Sequence, residues 1–263
     1  MSFHSAHHLQ LDANAIKHAR IALLPGDPGR VPGIAAHLKD SEEVANSREF
    51  RSYLGFLSDV PVLVTSTGCG GPSLSVCVEE LARLGVRNFI RVGSTGSIQE
   101  HINVGDIVIT SAAVRLDGAS RSFAPIEYPA VADLDLTNAL VHAAKEQGLA
   151  FHVGITASTD TFYQGQERYD TYTGFVPVHL RGSLKEWRSM RVTNFEMEAA
   201  TLLTMGATMG LRAACVCGVV AKRTQSEEIA TSDSFKKAEQ SAIDAAVGAV
   251  ALLIHSASGL LAE

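Results

Sequence analysis

Short apolar segments alternate along this chain with segments of helical periodicity, and this alternation constrains the fold more than any other feature. Largely apolar runs, typical of strands covered on both faces, predict strands at 21–24, 62–65, 89–92, 106–114, 152–157 and 213–220. Helices are predicted to end at Leu38 and Leu84 and to cover 135–147, 198–209 and 234–253. Because no linker or repeat divides the chain, we expect a single α/β domain over residues 1–263, with a central mixed β-sheet flanked by helices.

The charge balance argues against a nucleic-acid-binding surface. The 263 residues include 22 Lys or Arg and 28 Asp or Glu, for a formal net charge of −6. The apolar runs are too short to span a membrane. The four cysteines match neither a disulfide framework nor a Cys-x-x-Cys pair, and nothing resembles a secretory signal. We therefore expect reduced thiols and a cytoplasmic protein.

The stretch Asn88–Ser97 gives the first indication of chemistry. It begins as a buried strand that Arg91 interrupts, and we expect it to break into a turn of glycines and hydroxyl residues. A guanidinium this close to a core needs an anion or several acceptors. Backbone amides freed by Gly93 and Gly96, with the intervening hydroxyls, would complete a phosphate-binding site. The alternative is a structural turn whose arginine pairs with a carboxylate.

Two further arginines occur beside turn-forming segments. Arg30 follows the Pro-Gly-Asp-Pro-Gly sequence of residues 25–29, and Arg48 precedes a predicted hairpin with its turn at Ser58 and Asp59. Three guanidiniums with neighbouring hydroxyls can hold a dianion, because hydrogen bonds between ionised groups are strong. The recurrence of arginine beside such segments, rather than any single arginine, favours a phosphate-binding site.

Segment 161–168 indicates recognition of a flat ring. Gln166 and Arg168 can donate to carbonyl oxygens and accept from an N–H group, and Phe162 supplies an apolar wall. The simpler interpretation is a polar surface loop.

Two carboxylates, Glu196 and Glu198, flank Met197 at a predicted helix start. They could interact only with the helix dipole, or one could accept hydrogen bonds from the vicinal hydroxyls of a sugar. Since residues two apart point in different directions, we expect only Glu198 to face a ligand.

Several of these segments together resemble a known family. Residues 67–73, Thr-Gly-Cys-Gly-Gly-Pro-Ser, continuing to Glu79-Glu80-Leu81, resemble the signature of the nucleoside phosphorylases. Segments 89–98, 160–170 and 194–200 are similar to the members of that family that cleave uridine. The resemblance runs from about residue 8 to 225. It implies the fold of that family and the reversible phosphorolysis of uridine to uracil and ribose 1-phosphate in pyrimidine salvage, with phosphate as co-substrate and no organic cofactor.

The resemblance also implies roles for individual residues. Phosphate would be bound by Gly26, Arg30, Arg91 and Ser94, with Arg48 reaching in from a neighbouring subunit. Uracil would contact Thr95, Phe162, Gln166 and Arg168. Ribose would contact Met197, Glu198 and the neighbour's His8. Catalysis would depend on Arg91, Gln166, Arg168 and Glu198, with Arg168 as an electrostatic stabiliser because its pKa is too high for a general acid.

The same resemblance implies an assembly. Members of the family form homohexamers built from dimers that share their active sites. Some carry a monovalent cation, a structural K⁺, which here would be held by Glu49, Ser73 and the Cys69 carbonyl group. Four positions depart from the family pattern, namely His7, Cys69, Ser94 and Ala221.

Three alternatives remain open at this stage. A purine nucleoside phosphorylase would use a late aspartate as proton donor, and residues 218–224 contain no carboxylate. A hydrolytic nucleosidase would not need three arginines for phosphate. A catalytically silent nucleoside-binding protein need not retain the full set of contacts. A Rossmann dehydrogenase is disfavoured because residues 68–71 do not complete the dinucleotide fingerprint.

Overall fold

The computed structural model describes residues 5–224 and 226–256. Its strands are β1 (Ser5–Ala6), β2 (Leu11–Asp12), β3 (Ile21–Leu24), β4 (Lys39–Ser47), β5 (Phe50–Leu57), β6 (Val60–Thr65), β7 (Asn88–Ser97), β8 (Ile107–Leu116), β9 (Ala130–Val131), β10 (Phe151–Thr159), β11 (Asn194–Glu196) and β12 (Arg212–Lys222). Its α-helices are α1 (Val31–Ala35), α2 (Gly71–Arg83), α3 (Leu134–Glu146), α4 (Ser183–Ser189), α5 (Ala199–Thr208) and α6 (Ser232–His255). These elements confirm the predicted α/β fold.

One mixed sheet joins all strands except the small β1–β2 hairpin, in the order β11-β10-β8-β12-β7-β3-β6-β5-β4 with β9 on β8. Strand β7 pairs in parallel with β12 and β3. Strand β11 pairs in parallel with β10 and antiparallel with β7, so β7, β12, β8, β10 and β11 form a closed ring. The closure brings β11 beside the C-terminal end of β7, with Asn194 opposite Ser97 and Phe195 opposite Gly96.

Two helical layers cover the sheet. Helices α1, α3 and α6 pack on one face, and α2 and α5 pack on the other. Successive residues of β7 pack against opposite layers. Phe89 packs on the side of α2 and α5, and Ile90 packs on the side of α3 and α6. This double burial explains the continuous apolar runs from which the strands were predicted.

The secondary structure departs from the predictions in several places. The short strands β1, β2, β9 and β11 were not predicted, and α1 ends at Ala35 rather than at Leu38. Strand β7 continues through Ser97, so the predicted turn at residues 93–97 is wrong. Gly93 pairs with Cys217 of β12, and the position needs glycine because a Cβ there would stand 2.7 Å from Cys217 Sγ and 2.9 Å from Arg91 Nη2. Strand β4 was not predicted, because seven of its nine residues are polar or charged, as is common at a sheet edge. No helix in residues 5–224 and 226–256 is long and apolar enough to cross a membrane.

Candidate active site

A cavity of about 400 Å³ lies where β3, β7 and β12 end, as expected for an α/β sheet. Its lining includes most of the sequence-predicted site residues: Gly26, Arg30, Cys69, Arg91, Ser94, Thr95, Phe162, Gln166, Arg168, Met197 and Glu198. The predicted residues outside it are His8, Arg48, Glu49 and Ser73. The fold therefore brings together residues from five separate stretches of sequence.

Arg91 dominates one end of the cavity and is only 5% exposed. Its Nε donates to Glu196 Oε2 at 3.0 Å, and its Nη2 pairs with Glu198 Oε2. Its Nη1 is buried and has no hydrogen-bond partner among the described residues. A Cβ at Gly26 would lie 3.8 Å from this atom, so the glycine leaves space beside it. The geometry offers a free donor to an anion.

Arg30 and Ser94 lie at the same end. Arg30 Nη2 donates to Ser94 Oγ over 3.4 Å, and its Nε lies 2.9 Å from Glu239 Oε1 of α6. The second guanidinium is thus held in position by a carboxylate that burial gives a raised pKa. Two arginines and a hydroxyl converge here, which is the chemistry of a phosphate site.

Glu196 and Glu198 both reach Arg91 and both line the cavity, so the two carboxylates lie on the same side; that only Glu198 faces a ligand stays an expectation. The chain turns into α5 between them, and Glu196 accepts hydrogen bonds from the Glu198 amide at 2.8 Å and the Ala199 amide at 2.9 Å. Glu198 Oε1 accepts from the Gly70 amide at 2.6 Å. Burial raises the pKa of Glu198, and Glu196 adds to this rise, while Arg91 and the Gly70 amide oppose it.

The other end of the cavity is built for a flat group. Gln166 and Arg168 are each 2% exposed, and the Arg168 guanidinium lies 4.1 Å from the centroid of the Phe162 ring. Thr95 Oγ1 donates to the Phe195 carbonyl at 2.6 Å and accepts from Asn194 Nδ2 at 2.7 Å. Its hydroxyl hydrogen is therefore committed, and toward a ligand it can only accept.

Sequence reasoning missed two charged residues at this end. Glu227 accepts from Arg168 Nη1 at 2.8 Å and from Arg223 Nε and Nη2 at 2.7 and 2.9 Å. Burial and the nearby Arg223 lower the pKa of Arg168, while Glu227 opposes them. The sequence did carry a signal for Arg223, because this arginine closely follows a predicted strand, as Arg30 follows a strand and a turn.

A family model described as the phosphorylase superfamily matches residues 20–255. The chain is 54% identical to the uridine phosphorylase of Escherichia coli (strain K12) over 254 residues, which cover 97% of this chain and 100% of the relative. The chain belongs to the nucleoside phosphorylase family. The chain is also 52% identical to the uridine phosphorylase of Haemophilus influenzae (strain ATCC 51907 / DSM 11121 / KW20 / Rd) over 247 residues, which cover 94% of this chain and 98% of the relative. It is 38% identical to the guanosine phosphorylase of Halorubrum lacusprofundi (strain ATCC 49239 / DSM 5036 / JCM 8891 / ACAM 34) over 199 residues, 76% of this chain and 77% of the relative.

Four predicted residues of this phosphorylase lie outside the cavity of their own chain. His8 Nδ1 is 2.6 Å from Glu80 Oε1, and the His8 side chain is 40% exposed. Arg48 is exposed in the turn between β4 and β5. Next to it, Glu49 Oε1 accepts from Ser73 Oγ at 2.9 Å. All four lie on surface segments, where a second copy of the chain could reach them.

The next question is whether side chains in the described part of the chain could hold a metal ion. The described residues contain no group of three or more His, Cys, Asp or Glu side chains placed to bind a metal ion. Glu49 and Ser73 do offer hard oxygen ligands, which suit a monovalent cation better than a transition metal. Cys77, Cys215 and Cys217 are buried and act as packing residues, with the sulfurs of Cys215 and Cys217 3.6 Å apart, whereas Cys69 is exposed.

Proposed function

We infer that the protein catalyses the reversible phosphorolysis of uridine to uracil and ribose 1-phosphate, as a pentosyltransferase of pyrimidine salvage. The observation that carries this conclusion is the division of one cavity into two ends. One end has the free Arg91 Nη1 donor, and the other has Gln166 and Arg168 beside an aromatic wall. The two relatives above that match almost the full chain are uridine phosphorylases.

We propose that phosphate binds beside Gly26, between Arg30, Arg91 and Ser94. Cleavage of the glycosidic bond develops positive charge on the ribose. A phosphate held beneath the sugar stabilises that charge and then captures C1′. The unpartnered Arg91 donor supports this assignment, because a buried polar atom without a partner costs free energy until an acceptor arrives.

We propose that uracil binds against Phe162, with Gln166 and Arg168 donating to its carbonyl oxygens and Thr95 lining the ring edge. The departing base carries negative charge, and a positioned donor of this kind is typically worth about 2.7–4 kcal/mol in the transition state. Glu227 pairs with Arg168 Nη1 and so balances positive charge at the base end. Arg168 remains protonated and acts electrostatically, even though its pKa is lowered.

We propose that the ribose lies between these ends, with Glu198 accepting from its vicinal hydroxyls and Met197 packing beside it. Met197 Sδ lies 3.8 Å from Cys69 Sγ, so two sulfurs form one wall of the ribose position. Glu198 is already aligned by the Gly70 amide, which supports a fixed role for this carboxylate.

A purine substrate is the second candidate, because one relative is a guanosine phosphorylase. A purine leaving group is helped by a proton donor near the base. Glu227, the carboxylate that approaches this end, is already paired with Arg168 and Arg223. The site therefore suits a pyrimidine, whose carbonyl oxygens can take the developing charge.

We propose that the enzyme is a cytoplasmic homohexamer, a trimer of dimers in which His8 and Arg48 complete the neighbour's site. Their surface positions outside their own cavity support sharing. A K⁺ ion would be held by Glu49, Ser73 and the Cys69 carbonyl group. Since one chain supplies only these three ligands, this ion would need oxygens from a second subunit, and it would stabilise the interface. One domain over residues 1–263 remains our expectation.

The test is the release of uracil from uridine, followed by absorbance with and without phosphate. Release that depends on phosphate is expected. Equal release without phosphate would indicate a hydrolytic nucleosidase, and no release would indicate a silent binding protein. Guanosine and inosine serve as parallel substrates, and faster cleavage of either would transfer the assignment to purines.

A further inference from the structure

A buried carboxylate with no contact to the cavity lies between the two residues assigned to the base. Glu167 is 8% exposed and stands between Gln166 and Arg168. The cavity is lined by both neighbours but not by Glu167. Nothing in the proposed chemistry uses this carboxylate, so its burial needs another reason.

The backbone at Glu167 has a φ of +52°, in the left-handed region that non-glycine residues rarely adopt. The surrounding turn is closed by hydrogen bonds from the Glu167 amide to the Gln164 carbonyl at 3.0 Å and from the Arg168 amide to the Tyr163 carbonyl at 2.9 Å. This turn allows both neighbouring side chains to enter the cavity while the central carboxylate does not. An unfavourable backbone conformation of this kind persists only where surrounding contacts hold it.

The contacts that hold it come from the start of α4. Glu167 accepts from the Gly182 amide at 2.5 Å and the Leu184 amide at 2.7 Å. The Ser183 hydroxyl donates at 3.3 Å and the Tyr169 hydroxyl at 3.1 Å. Although burial acts to raise the pKa of Glu167, these donors hold it below its ordinary value.

Helix α4 is itself fixed to the closed ring of strands. Trp187 packs against a buried cluster that includes Phe195, a residue of the cavity wall. Gln99 Nε2 donates to the Arg188 carbonyl at 3.0 Å and to the Val192 carbonyl at 2.7 Å. A carboxylate tied to α4 is thus tied to the same framework that forms the base end of the cavity.

We propose that Glu167 is a positioning residue for base recognition, which locks the turn of residues 163–168 to α4 and so sets the directions of Gln166 and Arg168. This inference rests on the proposed function. It assigns to Glu167 no contact with substrate and no proton transfer. Its effect is specific to the base end, because the phosphate end is built by other elements.

The experiment compares Glu167→Gln with Glu186→Gln, measuring kcat, the KM for uridine and the KM for phosphate, with thermal unfolding of each variant. Glu186 is exposed in the first turn of α4, so its variant removes one carboxylate from the helix that Glu167 contacts without touching the turn of residues 163–168. Misplacing a binding group by about 1 Å can cost about a hundredfold, so we expect Glu167→Gln to lower kcat/KM for uridine about tenfold to a hundredfold. The KM for phosphate should stay within about twofold, and Glu186→Gln should match the wild type.

Glu167→Gly separates positioning from stability. Glycine accepts the left-handed backbone without strain, so this variant should fold, yet it lacks the carboxylate and should lose uridine turnover as Glu167→Gln does. An unchanged KM and kcat for uridine in folded Glu167→Gln would overturn the proposal, and so would an equal rise of both KM values. Wild-type protein that releases no uracil would instead overturn the proposed function.

Discussion

At the scale of single residues, the proposed contact of Glu198 with the ribose predicts how nucleoside binding depends on pH. Only the ionised carboxylate can accept from both ribose hydroxyls, and burial raises its pKa above the ordinary 4.5. Binding is therefore complete above the raised pKa and is lost as the pH falls through it, earlier than for an exposed glutamate. We expect the affinity for uridine, measured by calorimetry without phosphate, to fall as the pH is lowered from neutrality. Phosphate is omitted because it titrates in the same range.

Glu198→Gln should weaken uridine binding about tenfold to a hundredfold, because hydrogen bonds to charged groups contribute about 1.5–3 kcal/mol. Its binding should also become nearly independent of pH. Glu239→Gln is the matched control, since Glu239 too has a raised pKa but pairs with Arg30 at the phosphate end. A pH profile of Glu198→Gln that parallels the wild type would assign the titration to another group.

At the scale of elements, the close fit of β7 against β12 positions Arg91. A Cβ at Gly93 would stand 2.9 Å from Arg91 Nη2 and 2.7 Å from Cys217 Sγ. Gly93→Ala should displace the guanidinium, raise the KM for phosphate about tenfold or more, and cost about 1–3 kcal/mol of stability through overpacking. The control is Gly33→Ala in α1, where a Cβ meets nothing within 4 Å. Urea unfolding measures the stability of both variants, and steady-state kinetics measures their KM for phosphate. An unaltered KM for phosphate in folded Gly93→Ala would contradict the positioning of Arg91 by the contact between β7 and β12.

The same elements show what the sequence can and cannot predict. Buried strands were predictable because their apolar runs are continuous, whereas β4 was not, because an edge strand keeps polar residues. Gly93 was taken for a turn residue because local patterns do not reveal that another strand approaches it. The convergence of Glu196 and Glu198 on Arg91, and of Arg168 on Glu227, depends on contacts between residues distant in the chain. The sequence therefore predicted most of the residues that line the cavity, but not which of them form ion pairs with one another.

At the scale of the whole molecule, the question is whether one chain suffices for catalysis. The β1–β2 hairpin is held to its own chain by Glu80, which accepts from the His8 amide at 2.9 Å and the Leu9 amide at 3.1 Å. This anchoring presents His8 outward rather than into its own cavity, and Arg48 is exposed as well. In a two-fold symmetric dimer, each subunit contributes the same residues to its partner's site. Each site would then need its own Arg91 and its neighbour's Arg48.

Mixing two inactive variants tests this directly. Arg48→Ala and Arg91→Ala should each lose most activity, because each removes a guanidinium from every site. After subunit exchange in equal amounts, half the dimers are mixed and one of their two sites is intact, so about a quarter of the wild-type sites should return. Mixing Arg91→Ala with Arg168→Ala is the control, because both changes fall on residues of the subunit's own cavity and no site can recover. If exchange is verified by differently tagged subunits and Arg48→Ala with Arg91→Ala stays inactive, or if Arg48→Ala alone is fully active, the site is not shared.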